Sequence, residues 1–287
     1  MNSTANNTIL SFLRCPHCDH EGLRDEAGKA VCSSCKREYR SHGGKVFFSG
    51  EPDDARRLVD AAPNKQRWGL SRWSILEFFK KELATMPEDA VVGDVGVGTG
   101  PFRELTDRFP TMVGVDFFPY APVQVVADIT KPLPLRTQAF DVIICSEVLE
   151  HIPNPSLLVG EMGRIIKPGG VCLASVPFLH AIHYAPYDFY RYTPFALERL
   201  FNDAGFEKVE ITRIGTPGEV YKVFQDRFFT VHVLTARFSN NVILQTLLLC
   251  IARVVRKIHS LLFALMRPLY HRIPASPEWA LSYCVKA

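Results

Sequence analysis

Four cysteines near the start of the chain have the spacing of a metal site. Cys15-Pro-His-Cys18 and Cys32-Ser-Ser-Cys35 are two C-x2-C knuckles separated by thirteen residues. Two tight turns at this spacing can present four thiolates to one zinc ion in a closed, structural tetrahedron. A segment of about 35 residues builds little core of its own, so bound metal would supply its folding energy. Because the cysteines fill the tetrahedron, we expect His17 and His20 to face solvent.

A glycine-rich segment follows an apolar run, Val91-Val-Gly-Asp-Val-Gly-Val-Gly-Thr-Gly100. Gly96, Gly98 and Gly100 would let the backbone turn sharply and approach a ligand without a Cβ in the way. The dinucleotide fingerprint is G-x-G-x-x-G, whereas here the third glycine comes one position early and Asp94 lies at the strand end. The pattern therefore favours a nucleoside cofactor other than a nicotinamide or flavin dinucleotide.

Two further carboxylates follow the next two apolar runs, Asp116 in Val113-Gly-Val-Asp-Phe117 and Asp128 in Val125-Val-Ala-Asp-Ile129. The carboxyl ends of strands are where open α/β sheets bind ligands. Asp116 could accept hydrogen bonds from two ribose hydroxyls. Asp128 could accept one from an adenine amine, while the Ile129 N–H meets a ring nitrogen.

Short β-branched runs alternate with helical stretches beyond residue 90, which is typical of an α/β, mostly parallel sheet buried on both faces. An amphipathic helix is predicted from Ser71 to Leu83, ahead of Pro87. The residues between Asp116 and Asp128 number only eleven and contain two prolines, so no more than a turn is expected there. The predicted strands are Val91 to Val95, Met112 to Val115, Val123 to Val126, Phe140 to Cys145, Val171 to Val176, Glu207 to Ile214 and Ala280 to Lys286.

Phe140-Asp-Val-Ile-Ile-Cys-Ser-Glu-Val-Leu-Glu-His-Ile152 and Lys167-Pro-Gly-Gly170, taken with the glycine segment, resemble class I S-adenosylmethionine-dependent methyltransferases. The similarity is to the bacterial group related to quinone-biosynthesis enzymes (type 11 methyltransferase domains), over about residues 70 to 215 and the last strand. It implies a Rossmann-like, doubly wound sheet of seven strands and S-adenosylmethionine as cofactor. The implied contacts are the methionine end for Asp94, Gly96 and Gly98, the ribose for Asp116, the adenine for Asp128 and Ile129, and the methionine amino group for Ser146.

The cysteine segment, with Tyr39 and a predicted strand, Gly43-Gly-Lys-Val-Phe-Phe48, after it, resembles the small zinc-ribbon proteins that activate methyltransferases. We therefore predict a zinc ribbon over residues 1–50, a linker over 51–69 and a methyltransferase domain over 70–287. A helical insertion is expected within that domain at about 219–272.

The segment from Pro177 to Pro194 is dense in titratable and aromatic residues, and it would roof the transferred methyl group. It resembles a stretch in methyltransferases of bacterial surface-glycan gene neighbourhoods. A hydroxyl acceptor would need a general base, for which His183 and His180 are the candidates, with His151 behind them. Alternatively, Asp188 and Arg191 pair to fix the loop and the histidines only form hydrogen bonds.

Composition limits the class of protein. A length of 287 residues with 47% hydrophobic residues suits one main domain with an appendage, and a net charge of +3 is too mild to indicate nucleic acid. The first residues lack the pattern of a secretory signal, so we expect a cytoplasmic protein. The basic, partly apolar insertion could rest on the inner face of a membrane, pack on its own domain or form a homodimer.

These features predict an enzyme that methylates a small-molecule or glycan-like acceptor at a hydroxyl. An RNA methyltransferase that docks its substrate through the ribbon is the alternative within catalysis. A third reading is a cofactor-binding scaffold without turnover. Structural zinc and S-adenosylmethionine are expected in the enzyme.

Overall fold

The computed structural model describes residues 3–49, 70–228, 240–270 and 279–287. The chain forms two compact units. The first comprises residues 1–177, 181–212 and 283–287, and the second comprises 178–180 and 213–282. The predicted linker over 51–69 lies outside the described residues.

The first unit begins with helix α1 (Ser3–Leu10), followed by four short antiparallel strands. The sequence pattern predicted only the last of them, because strands this short leave little apolar alternation to detect. Left-handed backbone at Gly28, Gly43 and Gly44 makes the two tight turns of this meander. The strands are β1 (Leu23–Glu26), β2 (Lys29–Cys32), β3 (Glu38–His42) and β4 (Lys45–Phe47).

Seven strands follow, as predicted, and they lie in the order β7-β6-β5-β8-β9-β11-β10. The pairs β5/β6, β6/β7, β5/β8 and β8/β9 are parallel, which confirms the α/β, doubly wound and mostly parallel class. The core strands are apolar on both faces because helices cover both sides. They are β5 (Val91–Val95), β6 (Thr111–Asp116), β7 (Val125–Val126), β8 (Phe140–Ser146), β9 (Ile166–Pro177), β10 (Glu210–Ile214) and β11 (Ser282–Lys286).

The four N-terminal strands continue this sheet and bring it to eleven strands. Strand β4 pairs in parallel with β7, with Val46 opposite Val125 and Phe47 opposite Val126. The seven-stranded sheet implied by the resemblance is therefore extended at its β7 edge. Pairing with β4 covers backbone groups that an edge strand would otherwise expose.

Helices of the first unit cover the sheet. The predicted helix of residues 71–83 is confirmed as α2 (Leu70–Leu83), which buries Ile75 and Phe79. No helix lies between β6 and β7, where residues 117–124 form only bends and a turn, as the two prolines predicted. The other helices are α3 (Arg103–Thr106), α4 (Pro155–Ile165) and α5 (Pro194–Asp203), with a 3₁₀ turn at Leu149–His151.

The second unit carries the predicted helical insertion as two helices. Helix α6 (Pro217–Arg227) begins with a capping box between Thr216 and Glu219. Helix α7 runs for 29 residues, Val242–Tyr270. Within the described parts of the chain, none of the helices combines the length and the hydropathy needed to cross a membrane.

Candidate active site

The loop after β5 has the backbone conformation that its glycines permit. Gly96, Gly98 and Gly100 all have positive φ, at 77°, 54° and 74°, which other residues adopt only with strain. A Cβ on Gly96 would collide with the side chain of Val148, whereas a Cβ on Gly98 would point into open space. The loop therefore needs glycine at 96 for packing and at 98 for its turn, and Gly98 leaves room beside the backbone for a ligand.

Asp116, at the end of β6, holds this loop in place. Its carboxylate accepts hydrogen bonds from the Gly98 N–H at 2.9 Å and the Phe118 N–H at 3.0 Å. Burial raises the pKa of Asp116 despite these hydrogen bonds. Each carboxylate oxygen still has a lone pair to offer to a hydroxyl.

Asp94, at the end of β5, is the second buried carboxyl at this edge. It is only 8% exposed. Burial, and then the neighbouring charge of Asp116, raises the pKa of Asp94 to about 7. A cation bound beside these two carboxyls would favour their charged forms.

Asp128 and Ser146 stand at the ends of the neighbouring strands. Asp128 is half-buried beside Ile129, and desolvation of its carboxyl is outweighed by Thr130 and Lys131, which lower its pKa. Thr130 donates to one carboxylate oxygen at 2.6 Å, and Lys131 lies 3.0 Å from the other. The Ser146 hydroxyl lies 2.8 Å from the hydroxyl of Ser175 on β9.

A histidine and carboxyl cluster follows β8. Glu150 is fully buried, and neither of its carboxyl oxygens has a hydrogen-bond partner in the described part of the chain. Nε2 of His151 lies 3.5 Å from its Oε1, and Nε2 of His183 lies 3.8 Å from the same atom. The ligand atoms of the three residues lie within 4.8 Å of one another, a spacing at which they could surround one cation.

The charge state of Glu150 follows from its surroundings. Burial, and then the charge of Glu147, raises the pKa of Glu150 well above its usual value. Burial also raises the pKa of Glu147 to about 7, although Ser175 donates a hydrogen bond to it at 3.0 Å. Both carboxyls are therefore poised to hold protons near neutral pH.

The segment over 181–194 is fixed by an ion pair. Arg191 donates to both carboxylate oxygens of Asp188, at 2.6 and 2.8 Å, and this bidentate geometry is strong. Asp188 also accepts from the backbone N–H of His183 at 2.8 Å and lies 3.3 Å from its Nδ1. The pairing of Asp188 with Arg191 considered from the sequence is present, and Asp188 also holds the backbone of His183.

His151 is held by the same loop. Its Nδ1 lies 2.5 Å from the carbonyl oxygen of Tyr187, so that nitrogen carries the proton and Nε2 is left to accept one. Its ring stands at 78° to that of His183, with centroids 4.8 Å apart. His180 is exposed and belongs to the second unit, outside this cluster.

The four predicted metal ligands come together in the N-terminal meander. The sulfur atoms of Cys15, Cys18, Cys32 and Cys35 lie within 4.8 Å of one another. The separations Cys15–Cys35 and Cys18–Cys32 are both 3.6 Å, close to the edge of about 3.8 Å that Zn–S bonds of about 2.3 Å give a tetrahedron. The donor set therefore fits zinc. Of the two neighbouring histidines, His20 bonds the Ser33 hydroxyl at 2.9 Å.

Comparison with known proteins identifies the central part of the chain. Residues 71–211 match a family described as a methyltransferase domain. That part of the chain is a methyltransferase domain. The resemblance to class I S-adenosylmethionine-dependent methyltransferases is thereby confirmed.

Three relatives illustrate the similarity. The ubiquinone biosynthesis O-methyltransferase of Psychrobacter arcticus is 35% identical over 89 residues, 25% of this chain and 35% of that protein. An uncharacterized methyltransferase of Mycobacterium bovis is 36% identical over 93 residues, 32% of this chain and 34% of that protein. The match to these curated relatives thus spans about a third of their length. A solved S-adenosylmethionine-dependent methyltransferase from Archaeoglobus fulgidus is 19% identical, covers 74% of this chain and 93% of its own, and has a TM-score of 0.45.

Within the methyltransferase domain, sequence reasoning gave no role to Glu147 and Glu150. Both lie in the segment that carried the resemblance, directly after a buried strand and beside His151. Two carboxyls three residues apart at a strand end were the available signal. The sequence could not show that both would be buried, nor that His183 would come to lie beside Glu150 from 33 residues away.

Proposed function

We propose that this chain transfers a methyl group from S-adenosylmethionine to a hydroxyl of a small-molecule or glycan-like acceptor. The observation that carries the proposal is the cluster of Glu150, His151 and His183 at the end of β8 in a methyltransferase domain. Proton-accepting groups beside a cofactor loop suit an acceptor that must lose a proton. The name of the Psychrobacter relative, an O-methyltransferase, favours a hydroxyl for the same reason.

S-adenosylmethionine supplies a methyl group already activated by a sulfonium. The chain has to bind this cofactor and align it with the acceptor. We assign the binding of its methionine end to Asp94, Gly96, Gly98 and Ser146. Asp116 would accept from the ribose hydroxyls, with Gly100 completing the loop. Asp128 and Ile129 would hold the adenine. The buried carboxyls and the open space beside Gly98 support this assignment.

His183 is the proposed general base. Asp188 lies beside its Nδ1 and would hold the proton there, which leaves Nε2 to take a proton from the acceptor hydroxyl. His151, with Nδ1 held by a carbonyl, is the second candidate. His180, exposed and outside the cluster, is the weakest of the three. Glu150, whose Oε1 lies 3.5 Å from Nε2 of His151 and 3.8 Å from Nε2 of His183, would stabilise the imidazolium that forms when its carboxyl is ionised.

The ribbon is proposed to hold one structural zinc through Cys15, Cys18, Cys32 and Cys35. A closed set of four thiolates leaves no position open for a substrate, so the metal would stabilise the meander rather than react. The proposal also includes a linker over residues 51–69 between the ribbon and the methyltransferase domain, and a cytoplasmic location.

The test is transfer of label. The full chain is incubated with S-adenosylmethionine labelled on its methyl group and with fractionated cell extract, beside His183→Ala as control. We expect label in a small-molecule or glycan fraction, held there as a methyl ether, and much less of it with the variant. Label in RNA would replace the proposal with the alternative enzyme, and no transfer to any fraction would favour a scaffold.

A further inference from the structure

Helix α7 exposes a continuous apolar side to solvent in the part of the chain that the structure describes. Leu247, Ile251, Ile258, Leu262 and Leu265 are each at least 50% exposed. At 3.6 residues per turn, these residues and their apolar neighbours form a stripe about 120° wide and about 40 Å long. No charged residue falls within it. We call this surface the α7 stripe.

The α7 stripe is not the face that packs inside the second unit. Helix α7 contacts α6 through another side, where His259 Nε2 lies 3.1 Å from the Tyr221 hydroxyl and Phe263 is buried. An apolar surface of this extent is rare on a protein that meets only water. We therefore expect another molecule to cover the α7 stripe.

Charge identifies the occupant. The 29 residues of α7 include no aspartate or glutamate. Arg253, Arg256 and Lys257 lie off the stripe, toward the opposite side of the helix. A wide apolar stripe backed by only positive charge is complementary to a lipid surface with anionic headgroups. A second copy of the helix would bring like charge, and a two-helix seam needs a narrower stripe.

We propose that α7 lies in the plane of an anionic lipid surface, with its stripe buried at the boundary of headgroups and acyl chains. The helix rests on the bilayer and does not cross it, in keeping with its hydropathy. The inference is independent of the proposed function, because it uses none of the residues assigned to methyl transfer.

The test is co-sedimentation of the full chain with sucrose-loaded vesicles of phosphatidylcholine and phosphatidylglycerol, or of phosphatidylcholine alone. The stripe variant is Leu247→Gln, Ile258→Gln and Leu265→Gln together. The control is Phe195→Gln with Thr246→Gln, two exposed positions off the stripe. Because all these side chains are exposed, circular dichroism should find every variant folded.

We expect the parent chain and the control to bind anionic vesicles equally and the stripe variant at least tenfold more weakly. Arg253→Gln with Lys257→Gln should weaken binding to anionic vesicles up to about thirtyfold, since each basic residue near such a surface adds about 1 kcal/mol and about 1.4 kcal/mol is tenfold. Binding of the stripe variant equal to that of the parent would overturn the proposal, as would no binding to anionic vesicles. A dimer in sedimentation velocity that the stripe variant abolishes, without vesicle binding, would identify a second copy as the occupant.

Discussion

At the scale of the residue, Glu150 is the least expected feature of the site. A buried polar group without a hydrogen-bond partner costs about 1–3 kcal/mol, and both oxygens of Glu150 are in that position within the described residues. Its neighbours are two imidazoles, whose Nε2 atoms lie 3.5 and 3.8 Å from its Oε1. Such strain is expected where a group serves chemistry rather than folding.

His183→Ala should lower the rate of methyl transfer by about 10²- to 10⁴-fold, the usual cost of losing a general base. The affinity for S-adenosylmethionine should stay the same, because His183 is assigned to the second substrate alone. Steady-state kinetics and calorimetry on the same preparation measure the two effects. His180→Ala is the matched control. Near-full activity in both variants would leave the loop a structural role only.

Asp94 gives a prediction about pH. Its folded-state pKa of about 7 lies above the ordinary value, so the folded chain holds a proton that the unfolded chain releases. The stability contributed by this proton is complete below about pH 4 and is lost as pH rises through about 7.

Asp94→Asn should therefore make the cofactor-free protein more stable than the parent at pH 8, by up to about 4 kcal/mol. At pH 4.5 the two should differ much less. Urea unfolding at both pH values provides the comparison. A stability difference that does not change with pH would show that Asp94 is already charged in the folded chain.

Among the elements, the N-terminal meander packs directly against the edge of the sheet that we assign to the cofactor. Strand β4 pairs with β7, and Phe47 packs with Val97 of the glycine loop. Lys45 of β4 donates to the carbonyls of Tyr120 and Val123, at 2.7 and 2.6 Å. These contacts support the segment that has no helix between β6 and β7.

Lys45→Gln should consequently weaken binding of S-adenosylmethionine, since it removes the charged donor from these carbonyls and hydrogen bonds to a charged group contribute about 1.5–3 kcal/mol each. Lys29→Gln, at the exposed first position of β2, is the control and should leave the affinity unchanged. Calorimetry on both variants measures their affinities for S-adenosylmethionine. Equal affinities would mean that the β6–β7 segment holds its shape without the ribbon.

Strand positions were predictable to within a few residues because buried parallel strands are apolar on both faces, as in Val91–Val95 and Phe140–Ser146. The four cysteines were predictable as a cluster because C-x2-C spacing itself brings the thiols together. The pairing of β4 with β7 was not predictable, since it joins residues about 80 positions apart through backbone hydrogen bonds that any sequence can make. The environment of Glu150 depends in the same way on a distant loop.

At the scale of the whole molecule, the ribbon and the cofactor edge share one sheet, so the loss of zinc should affect more than the meander. We expect metal analysis to find one zinc ion per parent chain and none after Cys15→Ser with Cys32→Ser. Without that metal the ribbon should unfold first, as small zinc modules do. In thermal melting, the variant should unfold at a lower temperature than the parent chain. Zinc retained by the variant, or none in the parent, would contradict the ribbon assignment.

We propose that the edge of the sheet formed by β5, β6 and β7 binds S-adenosylmethionine. Calorimetric titration of the full chain with this cofactor measures that binding, with Asp116→Ala and Asp116→Asn beside the parent. We predict one site per chain and a loss of affinity of roughly tenfold to a hundredfold in both variants, since hydrogen bonds to a charged group contribute about 1.5–3 kcal/mol. Unchanged affinity in both variants, or tighter binding of a nicotinamide dinucleotide than of S-adenosylmethionine, would contradict the account.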